Sequence, residues 1–391
     1  MATDRRAWVA VCCLLLTASP AAAQSMSDVL TFLLTNQSVE TGSVERDRNA
    51  AKATSDTISH ALLANLATLP VPTSSGAFAV RLNPALGTVE RVTQTFGPSF
   101  VDRAQTNGRG QASFSLTFQH FRFDSLDGRN LRDGSFVTTA NQFTDEQTPF
   151  DTDRLTLNID ASVATLSASV GVTDRLDVSF AAPIVSLRID GTRINTYRGR
   201  TFTQATANGQ SIGLADLVVR TKYTISGDAG SGIAAAADVR LPTGREEDLL
   251  GAGSASLKLS GIGSIDIGRL SAHGNAGVTL GGLARELSYN AAIAAAVAPR
   301  ITIVGELLGR RIDSPGHVVP IAAPHPTIAG VETIRLVPDA TMLDIATLVP
   351  GFKWNVSDTW VVAGNVSVPL TRSGLTATMA PFVGLEYVIG H

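Results

Sequence analysis

The chain has 391 residues, a formal net charge of -3 and a pI near 6.1, so no basic field points to a nucleic-acid partner. Its two cysteines, Cys12 and Cys13, both precede residue 24. This placement excludes disulfides, thiol catalysis and thiolate metal sites from the rest of the chain.

Residues 1–23 have the pattern of a secretory signal peptide. Arg5 and Arg6 precede a short apolar run, and small residues follow as far as Ala23. The alternative is an anchor helix, but the run from Ala7 to Leu16 is short for a membrane span. We therefore expect cleavage after Ala23 and export to a bacterial envelope.

Residues 24–106 form a second region with helical spacing of apolar residues. The pattern predicts a short helix over residues 28–34 and a longer one over 45–69, ended by Pro70 and Pro72. Two short strands are expected within residues 76–97 around Asn83 and Pro84. This helical extension could plug a barrel or lie in the periplasm, and the sequence leaves both open.

Residues 107–391 alternate apolar and polar side chains with a period of two. In the stretch from Ser211 to Gly268, for example, Leu217 and Val219 alternate with Asp216 and Arg220. Beyond residue 24, no apolar run approaches the roughly 20 residues of a membrane helix. A chain of this kind can span a membrane only as a closed sheet.

The connections between the predicted strands are sorted by length. Long polar segments at 125–152, 190–210 and 313–340 fall at one end of the strands, and tight turns fall at the other. Bacterial outer-membrane barrels have this arrangement. We predict an all-β, transmembrane, antiparallel up-and-down barrel of about 12 strands, with 14 as the alternative, in the outer membrane. Its expected partners are outer-membrane lipids, a small-molecule solute and the barrel-assembly machinery.

The polar face of these strands predicts the lining of the lumen. The candidates share an inward position in the period-two register, and both signs of charge are mixed among them. We therefore expect no strong ion selectivity, and pairing within the wall for most of the charges. The predicted lumen-lining residues are Asp177, Asp216, Arg220, Lys222, Asp238, Arg240, Lys258, Asp266, His273, Asn275, Glu306, Arg310 and Glu386.

Catalytic and metal chemistry find little support in the pattern. His273 and Asn275 share a face with many serines, but the pattern predicts no strand–turn–helix nucleophile elbow around any of these serines. His317 and His325 stand in a Pro-rich segment without further ligands at metal-site spacing. No catalytic residue, cofactor or metal is predicted.

Several motifs together resemble the outer-membrane proteins of the MetA-pathway phenol-degradation family. They are Thr173 and Asp174 before an apolar strand that ends in Pro183; the pattern Gly213, Asp216 and Lys222; and the loop Pro242, Thr243 and Gly244. The resemblance covers roughly residues 105–391. It implies an outer-membrane barrel that passes small hydrophobic or aromatic compounds.

The sequence thus predicts a passive outer-membrane channel and not an enzyme. The alternative is a surface or envelope barrel that serves as an adhesin or scaffold anchor, and an outer-membrane hydrolase comes third. The predicted division is a signal peptide (1–23), an N-terminal segment (24–106) and a barrel (107–391).

Overall fold

The structure is a computed structural model that describes residues 24–35, 57–66, 71–73, 80–83, 88–91, 93–228, 230–313, 316–325, 328–357 and 359–389. The predicted signal peptide lies outside the described residues. The same is true of residues 45–56 and 67–69, which belong to the longer predicted helix.

Two short helices and a small hairpin precede the main sheet. Helix α1 (Met26–Thr35) begins with a reciprocal cap in which Ser25 Oγ accepts from Asp28 N–H (3.1 Å) and Asp28 Oδ2 accepts from Ser25 N–H (3.2 Å). Helix α2 comprises residues 57–66. Strands β1 (Val80–Asn83) and β2 (Thr88–Arg91) pair antiparallel. No helix within the described ranges is long and apolar enough to cross a membrane.

The rest of the chain is a succession of antiparallel strands. They are β3 (Ala112–Leu126), β4 (Arg129–Asn130), β5 (Phe136–Phe143), β6 (Asp151–Thr173), β7 (Leu176–Tyr197), β8 (Arg200–Leu214), β9 (Leu217–Asp228), β10 (Ser231–Leu241), β11 (Ser256–Ile267), β12 (Leu270–Gly281), β13 (Glu286–Ala298), β14 (Ile301–Ile312), β15 (Val318–Pro324), β16 (Val331–Pro338), β17 (Leu343–Ser357), β18 (Trp360–Pro369), β19 (Leu375–Ala377) and β20 (Ala380–Ile389).

Twelve of these strands close into a barrel, which confirms the predicted fold class and its 12-strand form. The wall runs in the order β3, β6, β7, β9, β10, β11, β12, β13, β14, β17, β18 and β20, with every neighbouring pair antiparallel. The barrel closes where β20 pairs with β3, from Phe382 opposite Gln119 to Ile389 opposite Ala112. Closure leaves the wall without a free edge, so its backbone groups are satisfied within the sheet.

The outside of the wall is apolar on all twelve strands. Large hydrophobic side chains exposed there include Phe118, Leu166, Phe180, Tyr223, Ile233, Leu259, Val278, Ile293, Ile303, Phe352, Trp360 and Val383. A soluble protein does not expose so large a contiguous apolar surface, whereas lipid requires it. The barrel therefore spans a membrane with this face toward the lipid tails.

The predicted long polar loops are partly wrong, because they form strands outside the membrane. Strand β7 has 22 residues, a length of about 70 Å, against a hydrocarbon core of about 30 Å. Residues 190–210 belong to a β7–β8 hairpin, and residues 313–340 contain the β15–β16 hairpin, which pairs with β5. These strands have no lipid to face, so they lack the apolar alternation that identifies the wall.

Candidate functional site

The inner surface of the barrel has two zones, an apolar zone toward the external end, which we call the apolar zone, and a polar zone toward the periplasmic turns, which we call the polar zone. Along β6 the inward positions are apolar at Leu155, Leu157 and Ile159 and become polar at Ser167 and Ser169, which lie nearer the short turns. On β7 the same change runs from Leu187 and Ile189 to Asp177 and Ser179, and on β3 from Phe121 and Phe123 to Ser113 and Thr117.

Helices α1 and α2 pack inside the apolar zone. Leu30 and Leu33 of α1 and Ile58 and Leu62 of α2 are completely buried in one hydrophobic cluster with Leu155. If every wall strand turned its apolar side chains toward lipid and its polar side chains toward the lumen, residues such as Leu155 would face lipid. The structure instead turns them inward, where the helices cover them.

Residues 93–107, which we call the inner segment, cross the polar zone. Its principal anchor is Glu306 on β14, whose side chain has no exposed surface. Glu306 Oε1 accepts from the N–H of Ser99 (2.8 Å), and Oε2 accepts from the N–H of Phe100 and of Val101 (2.8 Å each). A carboxylate with three charge-assisted hydrogen bonds fixes the turn of the inner segment against the wall.

Asp177 and Lys222 hold the end of the inner segment that leads into β3. Asp177 accepts from the N–H of Asn107 (2.9 and 3.1 Å), and Lys222 Nζ donates to the carbonyl of Gln105 (2.7 Å). The two wall side chains also pair with each other at 3.8 Å. Here an ion pair of the wall carries the backbone of the inner segment.

Arg220 joins the inner segment to the middle of the wall. Its guanidinium pairs with Asp102 of the segment at 2.5 Å and with both oxygens of Asp238 on β10 at 2.6 and 2.7 Å. Asn275, in the amide orientation that satisfies both groups, accepts from the N–H of Asp102 (2.7 Å) and donates to its carbonyl (2.9 Å).

His273 lies in a hydroxyl network and not in a catalytic triad. Its Nδ1 is 2.9 Å from Ser264 Oγ, and its Nε2 is 3.2 Å from Ser271 Oγ. Ser264 Oγ accepts from the N–H of Ala104, and Ser271 Oγ is 2.8 Å from Thr95 Oγ1. Among the described side chains, no carboxylate hydrogen-bonds to this imidazole, so the geometry offers nothing to orient it as a general base.

A cavity of about 170 Å³ lies above the inner segment. Phe100 and Asp102 of the inner segment line it, as do Ala64 of α2 and Pro72. Residues 281–284, which connect β12 and β13, line it at the external end. Strands β7 and β9 to β14 supply most of the remaining wall, which includes the predicted residues Arg220, Asp238, Arg240, Lys258, Asn275 and Arg310.

The remaining predicted residues lie apart from this cavity. Asp216, at the break between β8 and β9, accepts from the N–H of Gly244 (3.0 Å) and of Ala252 (2.9 Å). It so holds the loop between β10 and β11, which we call the external loop. Asp266 lies near the short turns, where its N–H donates to Ser231 Oγ. Glu386 lines a small second cavity beside Ser99 and Lys353.

Lys353, Glu286 and Asp102 are among the interior residues that the sequence analysis missed. Lys353 on β17 donates to the Pro98 carbonyl (3.1 Å), and Glu286 on β13 lines the cavity. Both alternate with apolar neighbours in their strands, so the period-two pattern could have found them. Asp102 stands in a stretch without periodicity and gave no such signal.

His317 and His325, at the two ends of β15, do not form a metal site within the described residues. His317 Nδ1 lies 2.8 Å from Asp127 Oδ1, and buried His325 accepts through Nδ1 from the N–H of Ile328 (3.0 Å). The His317 ring thus contacts a carboxylate on the β3–β4 turn, and the His325 ring fixes the local backbone.

The closed sheet and its apolar exterior define a transmembrane β-barrel, a structure found in the outer membranes of Gram-negative bacteria.

Comparison with known proteins gives likenesses in structure alone. No family model and no curated protein matches the chain. An outer membrane channel from Pseudomonas putida F1 aligns at 13% identity with a TM-score of 0.47, covering 73% of this chain and 98% of that one. The toluene transporter TbuX of Ralstonia pickettii aligns at 11% identity with a TM-score of 0.27, covering 72% and 90%. The transport unit of the Escherichia coli autotransporter AIDA-I aligns at 11% identity with a TM-score of 0.38, covering 71% and 90%.

Proposed function

We propose that the protein is a passive outer-membrane channel for small solutes in which the inner segment acts as the gate. The observation that carries this proposal is the way the segment is held. Three side chains of the wall, Glu306, Lys222 and Arg220, bind the segment through hydrogen bonds and ion pairs. Polar contacts can be exchanged for water when a segment moves, whereas a packed apolar core cannot.

The solute class follows from the family resemblance of the sequence. That resemblance implies small hydrophobic or aromatic compounds, and the cavity beside Phe100 and Leu308 offers both apolar and polar surface to such a molecule. Assembly by the barrel-insertion machinery belongs to the same proposal, since a closed barrel must be inserted as a sheet.

The gate is tested with a reversible lock. Thr95 Oγ1 and Ser271 Oγ are 2.8 Å apart, so a Thr95→Cys, Ser271→Cys pair is placed to form a disulfide between segment and wall. The chain beyond residue 23 has no other cysteine. Purified protein in liposomes should take up a single-ring aromatic alcohol slowly when oxidised, and at the wild-type rate after reduction.

Controls separate the possible outcomes. The two single-cysteine variants should take up solute at the wild-type rate under both conditions. Equal, measurable uptake in the oxidised and reduced states of the double variant would show that the segment is not the gate. An absence of uptake in every protein would reject the channel.

A second candidate is a barrel that only anchors a surface structure. The observation that favours it is the sheet beyond the membrane, in which β16 pairs with β5 and β8 pairs with the outer half of β7. Such an extension offers a rigid surface for an adhesin or scaffold. The liposome experiment distinguishes the two, because an anchor requires no uptake.

A further inference from the structure

Seven charged side chains line the cavity above the inner segment. Arg220, Arg240, Lys258 and Arg310 supply four positive charges, and Asp102, Asp238 and Glu286 supply three negative ones, among the described residues of the lining. Arg220 already engages both Asp102 and Asp238. The remaining carboxylate of the lining, Glu286, lies 3.6 Å from Arg310, and Asp216 lies near Arg240.

Lys258 is the lining cation that no described carboxylate binds directly. It faces the cavity from β11 and makes no hydrogen bond or ion pair within 4.0 Å to the described residues, although Glu286, Asp238 and Asp102 lie near enough to attract it. Its position follows from the strand register. Lys258 is opposite Asp238 on one side and Thr279 on the other, and Thr279 is opposite Glu286. Lys258 therefore stands between two carboxylate positions, the nearer of which is held by Arg220.

The same cavity has an apolar side. Phe100 of the inner segment, Leu308 on β14 and Leu283 of the external connection line it. Its volume of about 170 Å³ is similar to the roughly 150 Å³ of an engineered apolar cavity known to bind benzene. A molecule with one aromatic ring is therefore of a suitable size.

We propose that this cavity is a binding site for small aromatic carboxylates, with Lys258 as the residue that receives the carboxylate. The ring would lie against Phe100 and Leu308, and the carboxylate would make a charge-assisted hydrogen bond with the Lys258 ammonium. The proposal rests on the proposed function only in identifying the bound molecule with the transported solute.

The experiment compares two probes that share a ring and differ in charge. Isothermal titration calorimetry of the full chain in detergent, with benzoate and with benzyl alcohol, measures binding without requiring transport. We expect the wild-type protein to bind benzoate about tenfold or more tightly than benzyl alcohol. Equal affinities for the two probes, or no binding of benzoate, would overturn the proposal.

Lys258→Met should weaken benzoate binding about tenfold and leave benzyl alcohol within about twofold, while Lys258→Arg should retain the preference for benzoate. The matched control is Arg311→Met, because Arg311 is the neighbour of Arg310 and pairs with Asp344 at 2.7 Å, away from the cavity. Unchanged benzoate affinity in Lys258→Met would contradict the proposal. The wild-type probe comparison decides the matter even where a variant folds poorly.

The two proposals can fail separately. Charge-dependent binding without uptake into liposomes would leave the site standing and reject the channel. Uptake without charge-dependent binding would leave the channel standing and reject the binding site.

Discussion

Glu306 concentrates the attachment of the inner segment in a single side chain. Its carboxylate accepts three backbone N–H groups and is completely buried. Hydrogen bonds to a charged group each contribute about 1.5–3 kcal/mol. A neutral amide in the same place has one acceptor oxygen, and its NH₂ group would face other donors.

Glu306→Gln should therefore loosen the inner segment without unfolding the barrel. We expect the amides of Ser99, Phe100 and Val101 to exchange hydrogen roughly tenfold or more faster, as measured by mass spectrometry. The control is Glu247→Gln in the exposed external loop, which should leave this exchange unchanged. Unaltered exchange in Glu306→Gln would mean that other contacts hold the segment.

Asp216 performs a comparable task for the external loop. It accepts from the N–H of Gly244 and of Ala252, and Thr243 Oγ1 completes the attachment by donating to the Ala215 carbonyl (2.8 Å). The Pro242–Gly244 motif is thus tied to the break between β8 and β9. In Asp216→Leu, the buried N–H of Ala252 and the partly buried N–H of Gly244 would lose their acceptor, at up to roughly 1–3 kcal/mol each.

Asp216→Leu should make the loop between β10 and β11 a site of rapid proteolysis, whereas Leu217→Ala should have a smaller effect. Limited digestion of the protein in detergent measures this difference. Equal cleavage of the two variants would indicate that the carboxylate is dispensable.

At the scale of elements, glycines in β7 and β8 make room for helix α1. A Cβ at Gly191 would stand 2.2 Å from Leu33 Cδ1, and one at Gly209 would stand 2.9 Å from Val29 Cγ2. The outer wall is therefore shaped to receive the helix, and the apolar zone is covered by it.

Gly191→Val should displace α1 and leave the barrel closed. We expect increased hydrogen exchange over residues 26–35, with heat resistance of the barrel in SDS retained. Gly261→Val is the matched control, since the space around a Cβ there is empty within 4 Å. Unchanged exchange over α1 in Gly191→Val would show that the helix does not depend on this contact.

At the scale of the whole molecule, the sequence predicted the barrel well and its contents poorly. Alternation such as that of Leu257 and Leu259 with Lys258 identifies a wall strand, because lipid and lumen differ in polarity. It cannot say what fills the lumen. Leu155 and Leu157 alternate as regularly, yet face inward because α1 and α2 cover them. The inner segment has no period, and the groups that bind it belong to distant strands.

The span of the membrane is testable with charges placed on the two parts of the sheet. Leu259→Arg puts a cation on the lipid face of β11 and should destabilise the folded barrel in vesicles by about 2–4 kcal/mol. Gln210→Arg on the exposed part of β8 should have almost no effect. Urea titration monitored by tryptophan fluorescence measures both. A large effect at residue 210 would place β8 inside the bilayer.

The order of the chain constrains how the barrel is assembled. The inner segment directly precedes β3, and β3 is the strand that joins β20 at the seam of the wall. By pairing with β3, the first wall strand, β20, which is the last wall strand in the chain, closes the barrel around the inner segment. Pairing of β3 with β20 would trap the segment inside, so its docking onto β9, β11 and β14 should come before the seam closes. The rate of barrel closure should then be sensitive to substitutions in residues 93–107, although none of these residues belongs to the wall.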